Sequence, residues 1–265
     1  MKIGIFDSGL GGLVILRAIR KTLPQYDYVY FGDTKRLPYG KRSQAEIYRF
    51  TKQGVKFLFE QDCGLVILAC NTASSQALRK IQREFLPKYD PDKKVLGVII
   101  PTAEEVTSGR FHRVGILATI ATVKSKAYLK ELKKLNKNLT VIQQAAPLLV
   151  PLIEANRKKK IDQILRLYLR KIIEKKVGAV ILACTHYPLV SGEIKKILPH
   201  GTAVLGQDKI IPKKLKEYLK HHSEIVKKLS RGATCRLYVS KTSKHYENLG
   251  KKWFGTRTKL TAVKV

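Results

Sequence analysis

Two cysteines occupy matched settings. Cys70 closes the run VILAC and is followed by Asn71-Thr72; Cys184 closes a second VILAC and is followed by Thr185-His186. A thiolate can act as a base and a thiol as an acid. Two such groups on opposite sides of one carbon can take a proton from one face and deliver one to the other, exchanging roles with direction. Inversion at an amino-acid Cα needs that arrangement, because its proton is only weakly acidic and both hands must be reachable. The following residues add donors and acceptors for a bound ligand. A helix is expected to begin just after each strand, so that its backbone N–H groups hold a carboxylate and favour the thiolate.

Other residues could join this chemistry. Asp7 opens DSGLGG, where an acidic group beside Ser8 and several glycines can receive an ammonium or orient a thiol; its plainer reading is a helix cap. His186 lies two residues from Cys184 and can tune that thiol or carry a proton. Glu154, after the apolar, proline-flanked PLLVPLIE, reads equally as the start of an exposed helix. GDTKRLPYG at 32–40 is a polar turn able to close over a ligand. Cys63, placed before a strand, and Cys235, within a late one, read as inert small hydrophobes, and His221-His222 as surface. No Cys/His spacing suits zinc, and GLGG matches neither phosphate-loop nor dinucleotide spacing.

The elements that must position these residues are legible as alternation. KIGIF, YVYF, LVILAC, VLGVII, VGILAT, AVILAC and TAVLG are short apolar runs; between them lie amphipathic segments at 12–21, 43–61, 73–86, 124–136 and 158–176. This predicts an α/β fold with mainly parallel, buried strands, and ligands at the strands' carboxyl ends. The pattern also repeats: VILAC recurs at an offset of 114 residues, with 63 residues from Asp7 to Cys70 and 65 from Thr119 to Cys184. Two similar, pseudo-symmetric α/β domains are expected, with the site in the cleft between them. The boundaries expected are 1–97 plus 207–265 for the first domain and 98–206 for the second, the lysine-rich tail returning through the strand CRLYV.

Composition excludes some classes and leaves others open. No stretch approaches the ~20 apolar residues of a membrane span, and MKIGIFDSGLGG has no secretory pattern, so a cytoplasmic protein with free thiols is expected. The chain has 52 Lys+Arg against 20 Asp+Glu, a net charge of +32. Such a field would draw a polyanion such as nucleic acid, and equally a small dianionic substrate. The lysines are dispersed along helical segments in both halves and accompany no nucleic-acid-binding motif, so most are read as solvated faces.

Taken together, FDSGLGG, GDTKRLPYG, LACNTAS, TVKSKAY, PLLVPLIE and ACTHYPLV, in this order, resemble the glutamate racemases through about residue 190. The resemblance implies interconversion of L- and D-glutamate without metal or pyridoxal phosphate, supplying D-glutamate for peptidoglycan, often by a homodimer. It implies Cys70 and Cys184 as the two bases, Asp7 and His186 assisting them, and Glu154 as a further acid near the second. Substrate contacts are implied at Asp7, Ser8, Tyr39, Gly40, Asn71, Thr72, Thr185 and His186, with Thr122 a further candidate. The sequence departs from the family pattern at Ala118, at Thr102 where glycine commonly follows the proline, at Ala146, and at LGQD, which lacks the aspartate often found directly after that strand. Two alternatives stand beside this reading. One is a two-cysteine racemase for aspartate or another acidic amino acid. The other is a basic protein binding nucleic acid or a partner on a retired racemase fold, since some members of the family inhibit DNA gyrase.

Overall fold

The computed structural model describes residues 1–109 and 111–265. Apolar runs bounded by turns become parallel strands buried on both faces, as a sheet covered by helices on each side demands. In chain order the strands are β1 (Lys2–Asp7), β2 (Tyr28–Gly32), β3 (Cys63–Leu68), β4 (Lys94–Gly97), β5 (Arg113–Ala118), β6 (Thr140–Ala145), β7 (Ala179–Ala183), β8 (Ala203–Gly206), β9 (Cys235–Val239) and β10 (Thr261–Ala262). They form two parallel sheets, ordered β10-β9-β2-β1-β3-β4 and β6-β5-β7-β8. Leaving aside the β9–β10 extension, the order β2-β1-β3-β4 is repeated by β6-β5-β7-β8, so the two halves share a topology as well as the VILAC strand. Cys63 is the first residue of β3 rather than preceding it.

The helices between the strands are α1 (Gly12–Thr22), α2 (Gln44–Glu60), α3 (Asn71–Gln76), α4 (Leu78–Lys80), α5 (Leu86–Tyr89), α6 (Ile99–Ser108), α7 (Ile120–Ser125), α8 (Ala127–Leu135), α9 (Leu149–Glu154), α10 (Lys158–Glu174), α11 (Ser191–Ile197), α12 (Gln207–His221), α13 (Ser223–Lys228) and α14 (Lys244–Trp253). The long amphipathic α2 and α10 match the expected segments closely, and α2 begins at a Ser43/Glu46 capping box. Two expected helices are divided. The 73–86 segment is interrupted at Ala77, whose φ is −119°, and again by a wide π turn over Ile81–Phe85, just before Pro87, which has no N–H to continue the ladder. The 124–136 segment divides at Lys126, whose φ of 54° is left-handed, and its first part starts earlier, at Ile120. VLGVII is strand only through Gly97; its isoleucines open α6, which carries Pro101 in its first turn, where a missing N–H is tolerated.

The chain passes from the first sheet to the second through α6 and returns through α12, and these two helices pack on each other while α12 also packs on α1. One apolar core runs from beneath β1 and β3 (Ile3, Leu65) through α12 (Ile211, Leu215) to beneath β7 (Val180, Leu182). The carboxyl ends of both sheets are thereby held toward a common space. No helix among the described residues is long and apolar enough to cross a membrane.

Candidate active site

Asp7 is the last residue of β1, and β1 pairs with β3. Its carboxylate, almost wholly buried, accepts from the backbone N–H groups of Gly9 and Gly12, both at 3.1 Å, so it caps the start of α1 from outside the helix. The helix-cap reading of Asp7 is therefore what the structure shows. Oδ1 of the same carboxylate accepts from Oγ1 of Thr185 at 3.4 Å, which joins the end of β1 to the loop after β7. Burial raises the Asp7 carboxyl above its ordinary range, against the His186 charge and the amide bonds that lower it.

Cys70 sits at the N-cap of α3. Its Sγ accepts from the Ala73 backbone N–H at 3.4 Å and donates to Oγ of Ser8 at 3.3 Å. Burial, followed by the Asp7 charge, pushes the Cys70 thiol up to about 12, against the lowering by Ser8 and the Ala73 amide. A thiolate at Cys184 is near enough to raise it further, so the two sulfurs share one electrostatic space.

The setting of Cys184 differs from expectation. No α-helix begins directly after β7; a turn leads into a 3-10 segment, Tyr187–Val190, with Pro188 in it, and α11 starts only at Ser191. The thiol therefore has no helix N-terminus of its own. Its neighbour is Nδ1 of His186 at 4.0 Å, while Nε2 of the same ring lies 2.9 Å from Oε1 of Glu154. Glu154 is the last residue of α9 and only 20% exposed, so it belongs to this cluster and does not begin an exposed helix. The Trp253 indole stands edge-on to the imidazole, at 5.3 Å between centroids. Burial alone would push His186 down, but the hydrogen bonds and charges of Cys184 and Glu154 outweigh it and raise it to about 10.

The hydroxyls form a third group. Thr72 Oγ1 is 2.9 Å from Thr119 Oγ1 and 3.5 Å from Thr122 Oγ1, and Thr119 donates to Thr122 at 3.0 Å. Thr119 caps α7 and stands against Gly40, where an added Cβ would lie 3.3 Å from it. Thr119 was not among the residues singled out from sequence. Two signals point to it: its place in the repeat, directly after β5 as Ser8 is directly after β1, and the Thr-x-x-Thr spacing of a capped helix start. Tyr39, by contrast, turns its ring into the core against Phe6 and Phe50, and its hydroxyl donates to Asp33 at 2.6 Å. Its phenol is thus committed away from the two thiols.

The two halves meet closely. A Cβ on Gly11 would run into Nδ1 of His186 and Oγ1 of Thr185, so only glycine allows the loop after β1 to lie against the loop after β7. Asp7, Ser8, Cys70, Asn71, Thr72, Thr122, Glu154, Cys184, Thr185 and His186 are thereby gathered at the facing strand ends; Cys63 and Cys235, at the opposite ends of β3 and β9, are not. Chemically, the gathered set holds two thiols, a carboxylate near one, an imidazole–carboxylate pair beside the other, and hydroxyl and amide donors between. A separate, largely apolar cavity of about 490 Å³, walled by Leu78, Ile99, Glu104, Leu215 and Tyr218 among others, is lined by neither thiol.

Known proteins share this architecture. The family model described as Asp/Glu/Hydantoin racemase matches residues 14–206. A glutamate racemase of Aquifex aeolicus (strain VF5) is 38% identical over 256 residues, covering 94% of this chain and 92% of its own. The crystal structure of glutamate racemase isoform RacE1 from Bacillus anthracis superposes with a TM-score of 0.91 at 28% identity, covering 100% of this chain and 97% of that one. The glutamate racemase of Francisella tularensis, solved in complex with D-glutamate, gives a TM-score of 0.88 at 32% identity, covering 99% and 97%. With two matched parallel sheets, paired thiols at their facing ends and relatives of this similarity along nearly its whole length, the chain belongs to the Asp/Glu/Hydantoin racemase family.

Proposed function

We propose that the protein is a glutamate racemase in which Cys70 and Cys184 are the two bases. The observation that carries this reading is the pair of thiols at corresponding strand ends of two matched sheets, with the end of β1 joined to the loop after β7 through Asp7 and Thr185. Relatives of the same name along more than nine-tenths of the chain support glutamate as the substrate.

In this reading one cysteine is a thiolate and the other a thiol when substrate binds. The thiolate takes the Cα proton. The electron pair left on carbon is delocalised into the α-carboxylate, which the donors at the strand ends hold. The opposite thiol then delivers its proton to the other face and becomes the thiolate. No atom is gained or lost; the two sulfurs have exchanged protonation states, and the reverse reaction exchanges them back.

Burial favours neutral Cys70 in the free enzyme. The substrate ammonium brings a positive charge that favours its ionisation. Asp7 receives that ammonium and assists Cys70. His186, oriented by Glu154, exchanges protons with Cys184. Ser8, Asn71, Thr72, Thr122, Thr185 and the Tyr39-Gly40 backbone hold the two carboxylates, and the net charge of +32 draws in the acidic substrate.

The same reading divides the chain into 1–97 with 207–265 and 98–206, closing on substrate. It takes the protein as a cytoplasmic homodimer supplying D-glutamate for peptidoglycan; sedimentation of the purified protein checks the assembly.

Proton NMR of the purified protein with L-glutamate in D2O, without added cofactor, tests the reaction. Loss of the Cα proton signal together with formation of D-glutamate is expected. Exchange with aspartate and not glutamate would reassign the substrate. No exchange with either, in a folded sample, would overturn the racemase reading.

A further inference from the structure

Asn71 directly follows Cys70, and its amide is enclosed by side chains from three other helices. Its Nδ2 donates to Oε1 of Gln207 at 2.6 Å. Its Oδ1 accepts from Nε2 of Gln207 at 2.9 Å and from Oη of Tyr128 at 2.7 Å. Gln207 Nε2 also lies 2.8 Å from the Tyr128 hydroxyl and 3.3 Å from Oγ1 of Thr102. All four residues are buried. Thr102 lies on α6, by which the chain leaves the first sheet, and Gln207 is the first residue of α12, by which it returns. Thr102 and the residue directly after β8 are also two of the positions where the sequence leaves the pattern it resembles. Separated by 105 residues, they meet here as hydrogen-bond partners.

The donors and acceptors can be counted. An amide oxygen has two lone pairs, and both of those on Asn71 are used. Its nitrogen has two hydrogens, of which Gln207 takes one. Asn71 can thus offer a donor to a ligand and has no acceptor left to offer, which suits a carboxylate and not an ammonium. Were the Asn71 amide reversed alone, its N–H groups would meet those of Gln207; were both reversed, Oε1 of Gln207 would face Oγ1 of Thr102, whose proton is already donated to the Val98 carbonyl at 2.6 Å. We propose that Gln207, supported by Tyr128 and Thr102, is a positioning residue that fixes the Asn71 amide with its remaining N–H available to the substrate carboxylate. This rests on the racemase reading.

The test uses Gln207→Leu, Gln207→Glu and Tyr128→Phe in the full chain, each checked by circular dichroism, with kcat and KM measured for both enantiomers between pH 6 and 9. For Gln207→Leu, KM is expected to rise about tenfold or more, as for a lost charge-assisted hydrogen bond, with a smaller change in kcat. In an Asn71→Ala background the same substitution should add nothing. Gln207→Glu separates positioning from mere packing: its neutral carboxyl offers a donor and an acceptor like the amide, whereas the ionised form only accepts. KM in that variant should be near normal at the low end of the range and rise with pH, a trend absent from the unmutated protein. Tyr128, the titratable group hydrogen-bonded within the cluster, is held by burial above its ordinary range, and Asp208, the next residue, titrates in both proteins alike. If Gln207→Leu does not fold, Gln207→Glu and Tyr128→Phe carry the test, the latter with a smaller rise in KM. An unchanged KM in the folded variants would overturn the proposal, as would an effect of Gln207→Leu that persists without Asn71. Absence of glutamate racemisation in the unmutated protein would instead remove the reading beneath it, and is seen before any variant is made.

Discussion

Cys70 and Cys184 close the same five-residue run, VILAC, yet their surroundings are chemically different. Cys70 caps its own helix, taking a backbone N–H from Ala73, and its other partners are the Ser8 hydroxyl and the nearby Asp7 carboxylate. Cys184 has no such helix. In its place an imidazole stands at 4.0 Å, backed by Glu154 and flanked by the edge of Trp253. Repetition of the fold accounts for placing a thiol on each side of a cleft. It does not make the thiols equivalent: one is served by a backbone donor, a hydroxyl acceptor and a carboxylate, the other by a group that can itself exchange a proton.

The largest test of this comparison asks whether both thiols are needed. Cys70→Ser and Cys184→Ser should each lower racemisation by on the order of 10³-fold or more while the fold is retained, since a serine hydroxyl is far too weak an acid to replace the thiol. Slow exchange or elimination from one enantiomer only is the expected residue. Near-normal racemisation in either variant would end the two-base account.

A sharper test exploits the asymmetry. Enantiomers have equal free energy, so any variant must lose kcat/KM equally in both directions, and rate constants alone cannot assign a helper to a thiol. His186→Gln and Asp7→Asn should each cost about 10²-fold. Their primary deuterium isotope effects on Cα-labelled L- and D-glutamate should shift in opposite senses, because each variant slows proton transfer at a different sulfur. Isotope effects shifting alike in the two variants would mean that the helpers do not divide between the thiols.

The pH dependence of stability offers a third. The imidazole of His186 is raised from an ordinary 6.5 to about 10 in the folded protein. The native state therefore holds this proton more tightly than the unfolded chain. The stabilisation is fully present below about pH 6.5 and is lost as pH rises through about 10. Between pH 7 and 9 the unmutated protein should lose stability relative to His186→Gln, by up to about 1.4 kcal/mol per pH unit. Parallel denaturation curves for the two proteins over that range would contradict the assigned pair.

The smallest expected effect concerns the contact between the regions. Gly11→Ala should cost about 1–3 kcal/mol of stability, as overpacking commonly does, and should raise KM by displacing Thr185 and His186. A neutral outcome in both measurements would mean that the loop after β1 can move away from the loop after β7 without consequence.

Much of the fold and site is legible in the sequence. Buried parallel strands are continuous apolar runs, so β1, β3, β5 and β7 stand out, and the repeated VILAC announces two similar units. β6 does not stand out: TVIQQA lies at the edge of its sheet, half-exposed, and its glutamines replace the apolar run. The thiols, Asp7 and His186 are legible from residue type and position. The unequal helix starts are not, because a proline four residues past Cys184 is tolerated in the first turn of a helix, and its effect depends on the packing of the segment beyond it. Nor are the partners of Asn71 or the burial of the Tyr39 phenol, which depend on which distant side chain arrives at the same place, and no local pattern encodes that.

The pairing of β9 with β2 governs the order in which the molecule can be made. Every strand of the second sheet has been synthesised once residue 206 exists, whereas β2 waits for Cys235–Val239 to complete its far side, and the terminal amine of Met1 waits for the carbonyl of Lys228. A chain emerging from the ribosome can therefore complete its second sheet while its first still lacks the strands beyond β2. β1, which carries Asp7, has both of its strand neighbours by residue 68, whereas the outer side of β2 stays open until nearly all of the sequence is available.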